Sequence, residues 1–252
     1  MSNVRIGIDV GGSSIKAARV DVTTGRIVGE TLSVPTPQPA AVEPMLHAFV
    51  DLDRRLQGER AVGLALPSVV QRGVARTAAN IDKGWIGVDA ATLLGGRLRR
   101  PVVFLNDADA AGLAEMRWGA GRGTVGTVIM LTFGTGIGSA IFVDGTLLPN
   151  TEFGHMEMNG QEAEHYASAR TRTELALDGP AWSERVNVFL NRMHALFWPD
   201  VFILGGSITE NYASFGPLLH SPAEIRVAQF AGQAGVVGSA LAAAVLPSAR
   251  VR

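Results

Sequence analysis

The sequence contains no cysteine, and this absence excludes several kinds of chemistry. Without thiols the chain has no disulfide bonds, no thiolate nucleophile and no cysteine-bound zinc. A reducing compartment is consistent with such a composition, and we expect a cytoplasmic protein.

Lysine is nearly absent as well, since only Lys16 and Lys83 occur among 22 basic residues. The formal net charge of −1 provides no basic field, so we expect neither a nucleic-acid nor a membrane partner. No apolar run approaches the ~18 residues of a membrane span. A strand pattern begins at Val4 with no basic-then-apolar segment before it, which argues against a signal peptide.

Glycine is abundant, with 30 residues in a chain of 252. That is well above the average of about 7%. Hydrophobic residues make up 47% and charged residues 18%, which is typical of a globular protein. The length suits one large domain or two small ones.

Apolar segments alternate between strand and helix patterns, which predicts an α/β fold. The predicted strands cover residues 4–10, 18–22, 27–34, 61–66, 102–105, 127–133, 138–144 and 201–204. The predicted helices cover residues 42–56, a segment from 106 onward, 186–198 and 234–246, and the proline-rich segment 35–44 is predicted to be a loop. We place a small N-terminal lobe at residues 1–105 with 237–252, and a larger C-terminal lobe at 106–236.

Three glycine-rich turns each follow an apolar strand: DVGGSSIK (9–16), TFGTGIG (132–138) and LGGS (204–207). Glycine lets backbone N–H groups approach an anion closely, and the neighbouring hydroxyls add donors. Asp9 could hold Mg²⁺ through water. Each segment could equally be a plain tight turn, and none matches the Walker or dinucleotide patterns.

Asn106 and Asp107 follow a predicted parallel strand, at the edge where α/β sheets place their ligands. An aspartate there can accept a proton from a substrate hydroxyl, which contributes roughly 10²–10⁴ in rate. Both residue types are also preferred helix caps, so cap and general base remain alternatives.

A second polar cluster lies in residues 150–169, where Glu152 and His155 flank Gly154 and further acidic residues follow. A carboxylate beside an imidazole suits hydrogen bonds to neighbouring sugar hydroxyls. A solvated acidic loop is the alternative, and the spacing of a three-ligand metal site is not evident.

The motifs DVGGSSIK, NDADAAGLAE, LTFGTGIGSA, EFGHME and ILGGS, in this order, resemble the sugar kinases of the ROK (repressor/open-reading-frame/kinase) family. Within it, TPQPA, RTAANIDKGWIG, LPNTEFGH and LFWPDVFILGG are similar to the polyphosphate glucokinases. The resemblance implies a two-lobed hexokinase–actin-like (ribonuclease H-like) fold with its active site in the interlobe cleft. It also implies phosphorylation of the 6-hydroxyl of glucose, with mannose as a second hexose, by a Mg²⁺-dependent homodimer that serves glycolysis and uses polyphosphate or ATP.

The resemblance also assigns roles to residues. It implies that Asp107 is the catalytic base. The sugar contacts it implies are Asn80, Asn106, Asp107, Glu152, His155 and Glu164. The donor-phosphate contacts it implies are Asp9, Gly11, Gly12, Ser13, Ser14, Lys16, Thr132, Gly134, Thr135, Gly136, Gly205 and Gly206. Asp9 would also bind Mg²⁺ through water.

Two features depart from the family pattern. Many members carry a cysteine-rich zinc motif after E-x-G-H, whereas this chain has none, so we expect no structural zinc and a loop held by packing alone. The polyphosphate enzymes carry lysines after the third glycine turn, where this chain has Thr209 and Glu210. A polyanion needs cations along its length, and Lys83, Arg97, Arg99 and Arg100 could compensate or form a solvated face.

Three other functions remain open. The chain could be a kinase restricted to ATP or to another hexose. It could be a sugar-sensing repressor, although such proteins carry a helix-turn-helix before the kinase-like fold and the first strand pattern here starts at Val4. It could also be an actin-like ATPase or scaffold, which the sugar-type cluster disfavours.

Overall fold

The computed structural model describes residues 3–245, which form two compact units. One unit comprises the described residues up to Ala114 and from Gln233 onward, and the other is Glu115–Gly232. The lobe limits predicted at residues 105 and 237 therefore differ from these divisions. Residues 246–252 of the predicted N-terminal lobe lie outside the described residues.

The helices and strands confirm the predicted α/β class. The strands are β1 (Val4–Val10), β2 (Ser14–Asp21), β3 (Arg26–Pro35), β4 (Val62–Leu66), β5 (Val70–Gln71), β6 (Val74–Ala75), β7 (Val102–Asn106), β8 (Thr127–Phe133), β9 (Ile137–Val143), β10 (Thr146–Leu148), β11 (Glu157–Met158), β12 (Gln161–Glu162), β13 (Val201–Gly206) and β14 (Glu224–Val227). The α-helices are α1 (Val42–Arg55), α2 (Ala90–Leu98), α3 (Asp107–Trp118), α4 (Ala163–Ala167), α5 (Ala169–Glu174), α6 (Gly179–Phe197), α7 (Tyr212–Phe215) and α8 (Ala234–Val245).

The main sheets of the two units have the same topology. The first has the order β3-β2-β1-β4-β7 and the second β10-β9-β8-β13-β14. In each sheet the first three strands in the chain form an antiparallel meander, and the last two run parallel to the first. Because the carboxyl ends of parallel strands meet at one edge, each unit collects its strand-end residues along a single edge.

Three predicted boundaries are corrected. β2 begins at Ser14 rather than residue 18, because the hairpin turn after β1 is tight and Ser14 and Lys16 alternate with buried apolar residues. The loop predicted at 35–44 is shorter, since β3 extends to Pro35 and Pro44 lies in the first turn of α1, where proline is tolerated. α6 begins at Gly179 rather than residue 186, because the Asp178 side chain caps it by accepting from the Ala181 N–H at 2.8 Å.

Helix α8 packs unusually close to the first sheet because the contact residues are glycines. A Cβ on Gly7 of β1 would overlap the Val236 carbonyl oxygen, and one on Gly63 of β4 would overlap the Ser239 carbonyl oxygen. Close packing of this kind accounts for part of the glycine excess.

The second core lies between its sheet and α6. The apolar stripe Val186, Phe189, Leu190 and Met193 is fully buried there. Trp182 and Phe215 pack edge to face beside it with ring centroids 4.9 Å apart. No helix among residues 3–245 has the length and apolar character needed to cross a membrane.

Candidate active site

The first glycine turn joins β1 to β2, and protein donors occupy its carbonyl oxygens. The Thr36 hydroxyl donates to Gly11 O at 2.6 Å, the Gln38 amide to Gly12 O at 3.3 Å, and the Thr36 N–H to Ser13 O at 3.1 Å. Gly11, Gly12 and Ser13 are exposed, and Ser14 begins the next strand. The Gly11 N–H is also used within the turn, where it donates to Ser14 O at 3.0 Å, so the groups that the turn can present to an anion are the N–H groups of Gly12 and Ser13 and the serine hydroxyls.

Asp9 lies near the end of β1, opposite Lys16 of β2 in the antiparallel register. Desolvation by the surrounding protein raises the pKa of Asp9 to about 6, against the opposing charge of Lys16. A Cβ on Gly235 of α8 would lie 2.6 Å from both carboxylate oxygens. The glycine therefore leaves space for the Asp9 carboxylate, which is ionised at neutral pH.

Asn106 and Asp107 lie at the junction of β7 and α3, and the structure separates their roles. The buried Asn106 caps the helix, because its Oδ1 accepts from the Ala108 and Asp109 N–H groups at 2.8 and 3.1 Å. Asp107 is the first helical residue and is partly exposed, and its Oδ1 also accepts from the Ala108 N–H, at 2.9 Å. A carboxylate can accept several hydrogen bonds, so this one leaves Asp107 capable of accepting a substrate proton.

Asp9 and Asn106 lie on the same edge of the first sheet, because β4 runs parallel to both of their strands and pairs Ala65 with Asp9 and Leu66 with Asn106. Asn80 is an exposed residue of the loop between β6 and α2. No described contact joins it to the other predicted site residues.

The second and third glycine turns lie side by side in the second unit, because β8 and β13 are parallel neighbours that pair Phe133 with Gly206. Gly206 has a φ of 82°, and a Cβ there would overlap the Phe133 carbonyl. Thr132 is partly exposed, Thr135 is exposed, and the Gly134 N–H donates to Gly136 O at 3.0 Å across the turn.

The sugar-type cluster contacts the second glycine turn through Glu164. Its Oε2 accepts from the Ile137 N–H at 3.4 Å, and a Cβ on Gly136 would overlap the same oxygen. A polar cluster suited to hydroxyls therefore adjoins a turn suited to phosphates within one unit.

His155 is the centre of that cluster. Its Nδ1 lies 3.2 Å from Glu162 Oε2, and its Nε2 lies 3.8 Å from Glu152 Oε2. His165 lies 3.9 Å from Glu164. His155, Glu162 and Glu164 are close enough to hold a cation, but exposed acidic groups commonly gather without one.

Two pKa values in the cluster are shifted. Burial, assisted by the charge of Glu164, raises the pKa of Glu152 against the effect of His155. Desolvation lowers the pKa of His155, but the hydrogen bond and charge of Glu162, with the charges of Glu164 and Glu152, outweigh it and raise that pKa. The imidazole is therefore protonated over a wider pH range than a free histidine.

The model of the ROK family matches residues 5–181. The chain belongs to the ROK family. It is 44% identical over 237 residues to the polyphosphate glucokinase of Mycobacterium tuberculosis (strain CDC 1551 / Oshkosh). The matched residues cover 94% of this chain and 89% of that protein. It is 41% identical to the polyphosphate glucokinase of Mycobacterium leprae (strain TN), covering 94% of this chain and 73% of that protein.

Solved structures of sugar kinases share the fold. The inorganic polyphosphate/ATP-glucomannokinase of Arthrobacter sp. strain KM superimposes with a TM-score of 0.93 at 42% identity, covering 97% of this chain and 99% of that chain. The ROK glucokinase of Streptomyces griseus, in complex with glucose and AMPPNP, superimposes with a TM-score of 0.80 at 26% identity, covering 94% and 98%. The hexokinase- and actin-like fold class predicted from the motifs is confirmed.

Glu162 is a functional candidate that the motifs did not single out. The β11–β12 hairpin pairs Glu157 with Glu162, and the Glu157 side chain accepts from the Gly160 N–H at 2.7 Å to close the turn. The segment is therefore held by a hairpin and by the contact between Glu162 and His155, and the expectation of packing alone is wrong. The signal available in the sequence was the pair Asn159-Gly160, which favours a tight hairpin.

The substitution Glu162→Gln is expected to lower the pKa of His155, because it removes a negative charge 3.2 Å from the ring. An NMR titration of the His155 ring protons measures this shift. Because the pKa of His155 is raised in the folded protein, protonated His155 contributes to the free energy of unfolding. That contribution should be lost as the pH rises through the pKa of His155 in the folded state. Glu174→Gln, at an exposed acid of the same compact unit, Glu115–Gly232, is the control, and an equal shift in both variants would contradict the assignment.

Proposed function

We propose that the chain transfers a phosphoryl group from inorganic polyphosphate or ATP to the 6-hydroxyl of glucose. The observation that carries the proposal is the contact of Glu164 with the Gly136–Ile137 turn, because phosphoryl transfer requires acceptor and donor sites that adjoin. Substantial identity to polyphosphate glucokinases over nearly the whole chain supports the same activity.

In the proposed reaction, Asp107 accepts the proton of the sugar hydroxyl as its oxygen attacks the terminal phosphorus of the donor. The bond from that phosphorus to its bridging oxygen breaks, and the shortened donor leaves with the electron pair. Asn106 caps α3 and thereby fixes the position of Asp107. Glu152, His155 and Glu164, with Asn80, are the proposed sugar contacts.

The glycine turns are the proposed donor contacts, with Lys16 as a nearby cation. The N–H groups that are not used within these turns, with the hydroxyls of Ser13, Ser14, Thr132 and Thr135, would bind phosphate oxygens, and Gly205 and Gly206 would continue this surface.

Asp9 fits a Mg²⁺ ion held through water, because it offers a single carboxylate that Gly235 leaves uncrowded. When bound, Mg²⁺ supplies positive charge to the donor phosphates. The residues of this chain position the reacting groups around that charge.

A donor assay tests the proposal: glucose 6-phosphate formation is measured with polyphosphate and with ATP, on glucose, mannose and other hexoses. We expect glucose to be phosphorylated with at least one donor. An enzyme that phosphorylates another hexose but not glucose, or none, would overturn it. An ATP-dependent hexose kinase is the second candidate, which the exposed acidic Glu210 beside the third turn favours over a polyanion donor.

The proposed setting is a cytoplasmic glycolytic homodimer without structural zinc or nucleic-acid and membrane partners. The end of α6 exposes apolar Leu196 (58%) and Trp198 (75%), which supports an interface there.

A further inference from the structure

A cavity of about 490 Å³ lies beside the third glycine turn, entirely within the second unit. Arg172 of α5 and Trp182 of α6 line it, together with Ser207, Ile208 and Glu210 that follow β13. We propose that this cavity binds the distal, untransferred phosphates of an inorganic polyphosphate donor, with Arg172 as their cationic contact and Glu210 as an opposing charge. The inference rests on the proposed kinase function and deepens it by naming a donor subsite.

Aromatic rings hold the Arg172 guanidinium. Its central carbon lies 5.0 Å from the centroid of the Trp182 ring and 5.7 Å from that of Phe215. The Trp182 ring is itself fixed, because its Nε1–H donates to Ala167 O at 3.0 Å. A guanidinium that lies over aromatic rings still has N–H groups that can donate to a phosphate oxygen, and a donor already held in place loses little entropy when it binds.

Among the residues that the structure describes, Arg172 lacks the carboxylate partner that several other arginines of the chain have. Arg54, Arg97, Arg100 and Arg226 each lie within ion-pair distance of a carboxylate. Within residues 3–245 no carboxylate oxygen lies within 4.0 Å of the Arg172 guanidinium. Its positive charge is therefore available to an anion that enters the cavity.

Helix α5 connects the cavity to the predicted donor turns. The Arg170 N–H donates to Gly134 O at 3.1 Å, and Arg172 follows two residues later. From the other side, the Ser207 hydroxyl donates to Phe133 O at 3.1 Å. A phosphate chain whose reacting end lies at these turns can therefore extend along α5 towards Arg172.

Glu210 lines the same cavity and is exposed. Its charge opposes a polyanion, so Arg172 and Glu210 should affect polyphosphate in opposite directions. Beyond its three phosphates ATP carries an uncharged nucleoside, so each residue should matter less for ATP than for polyphosphate.

The test compares Arg172→Gln and Glu210→Gln with each donor at saturating glucose. We expect Arg172→Gln to lower kcat/KM for polyphosphate by roughly 10- to 100-fold, the value of a hydrogen bond to a charged group, and to change that for ATP by less than about threefold. Glu210→Gln should raise kcat/KM for polyphosphate by about two- to fivefold. This gain cannot arise from misfolding.

Arg192→Gln, at an exposed arginine of α6 outside the cavity, is the matched control and should leave both donors unchanged. Equal losses with both donors in Arg172→Gln, or an unchanged rate with polyphosphate, would overturn the inference.

Calorimetric binding of polyphosphate to the same proteins separates this inference from the proposed function. If glucose phosphorylation fails with every donor but Arg172→Gln still weakens polyphosphate binding, the subsite stands and the proposed function falls. If ATP supports turnover while the unsubstituted protein binds no polyphosphate, the kinase proposal stands and the subsite falls.

Discussion

Replacement of Asp107 by asparagine is expected to lower kcat for glucose phosphorylation by about 10²–10⁴-fold, the usual contribution of a positioned general base. Asparagine keeps the size of the side chain and an oxygen that can accept from the Ala108 N–H, but it cannot take up the proton of the sugar hydroxyl. Steady-state kinetics gives kcat, and calorimetric glucose binding should show an affinity close to that of the unsubstituted protein.

Asn106→Ala tests the residue next to Asp107, whose expected role is to cap α3. It removes the cap oxygen of α3, so the free energy of unfolding should fall by about 1 kcal/mol, whereas Asp107→Asn should leave it nearly unchanged. Substantial activity in Asp107→Asn would show that another group takes the proton.

Gly63→Ala should lower the free energy of unfolding by about 3 kcal/mol, at the upper end for overpacking. The added methyl group would overlap the Ser239 carbonyl, and the overlapped atom belongs to the backbone of α8 rather than to a flexible side chain. Either β4 or the helix must move, which disturbs the buried contacts of both. Denaturant unfolding measures the loss.

Gly96→Ala is the matched control for the same chemical change. Gly96 is an exposed residue of α2, and no atom lies within 4 Å of the position that the added methyl group would take. Alanine there should raise stability by up to about 1 kcal/mol through its helix propensity. If both variants lost stability equally, close packing against α8 would not explain the need for glycine at position 63.

The sequence predicts most strands of the two sheets because apolar residues predominate in them. Residues 4–10 and 127–133 are predicted with their actual limits, since most of their residues are apolar and buried and each strand lies between two others in its sheet. The predicted β2 is too short because Ser14 and Lys16 obscure its start. The predicted α6 is too short because its first turn relies on the Asp178 cap rather than on apolar periodicity.

The candidate site is predictable where local motifs form it. Each of the predicted motifs is a short continuous segment, so the spacing of its residues is visible in the sequence. These motifs are the glycine turns, the pair Asn106 and Asp107, and the pair Glu152 and His155. Glu162 and Arg172 are not predicted because their significance depends on contacts between elements. Glu162 reaches His155 through the register of a two-residue hairpin, and Arg172 is held by a ring from α6.

The packing of α8 has a consequence for synthesis of the protein. The helix lies against β1 and β4, so the first unit combines the earliest strands of the chain with a helix made more than a hundred residues later. At about 5–20 residues per second, the nascent first sheet waits roughly 6–25 s for the helix that covers its glycine-lined face. The second unit is continuous in the chain and can complete its core during that interval. We therefore expect the ribosome-bound chain to fold its middle before its beginning.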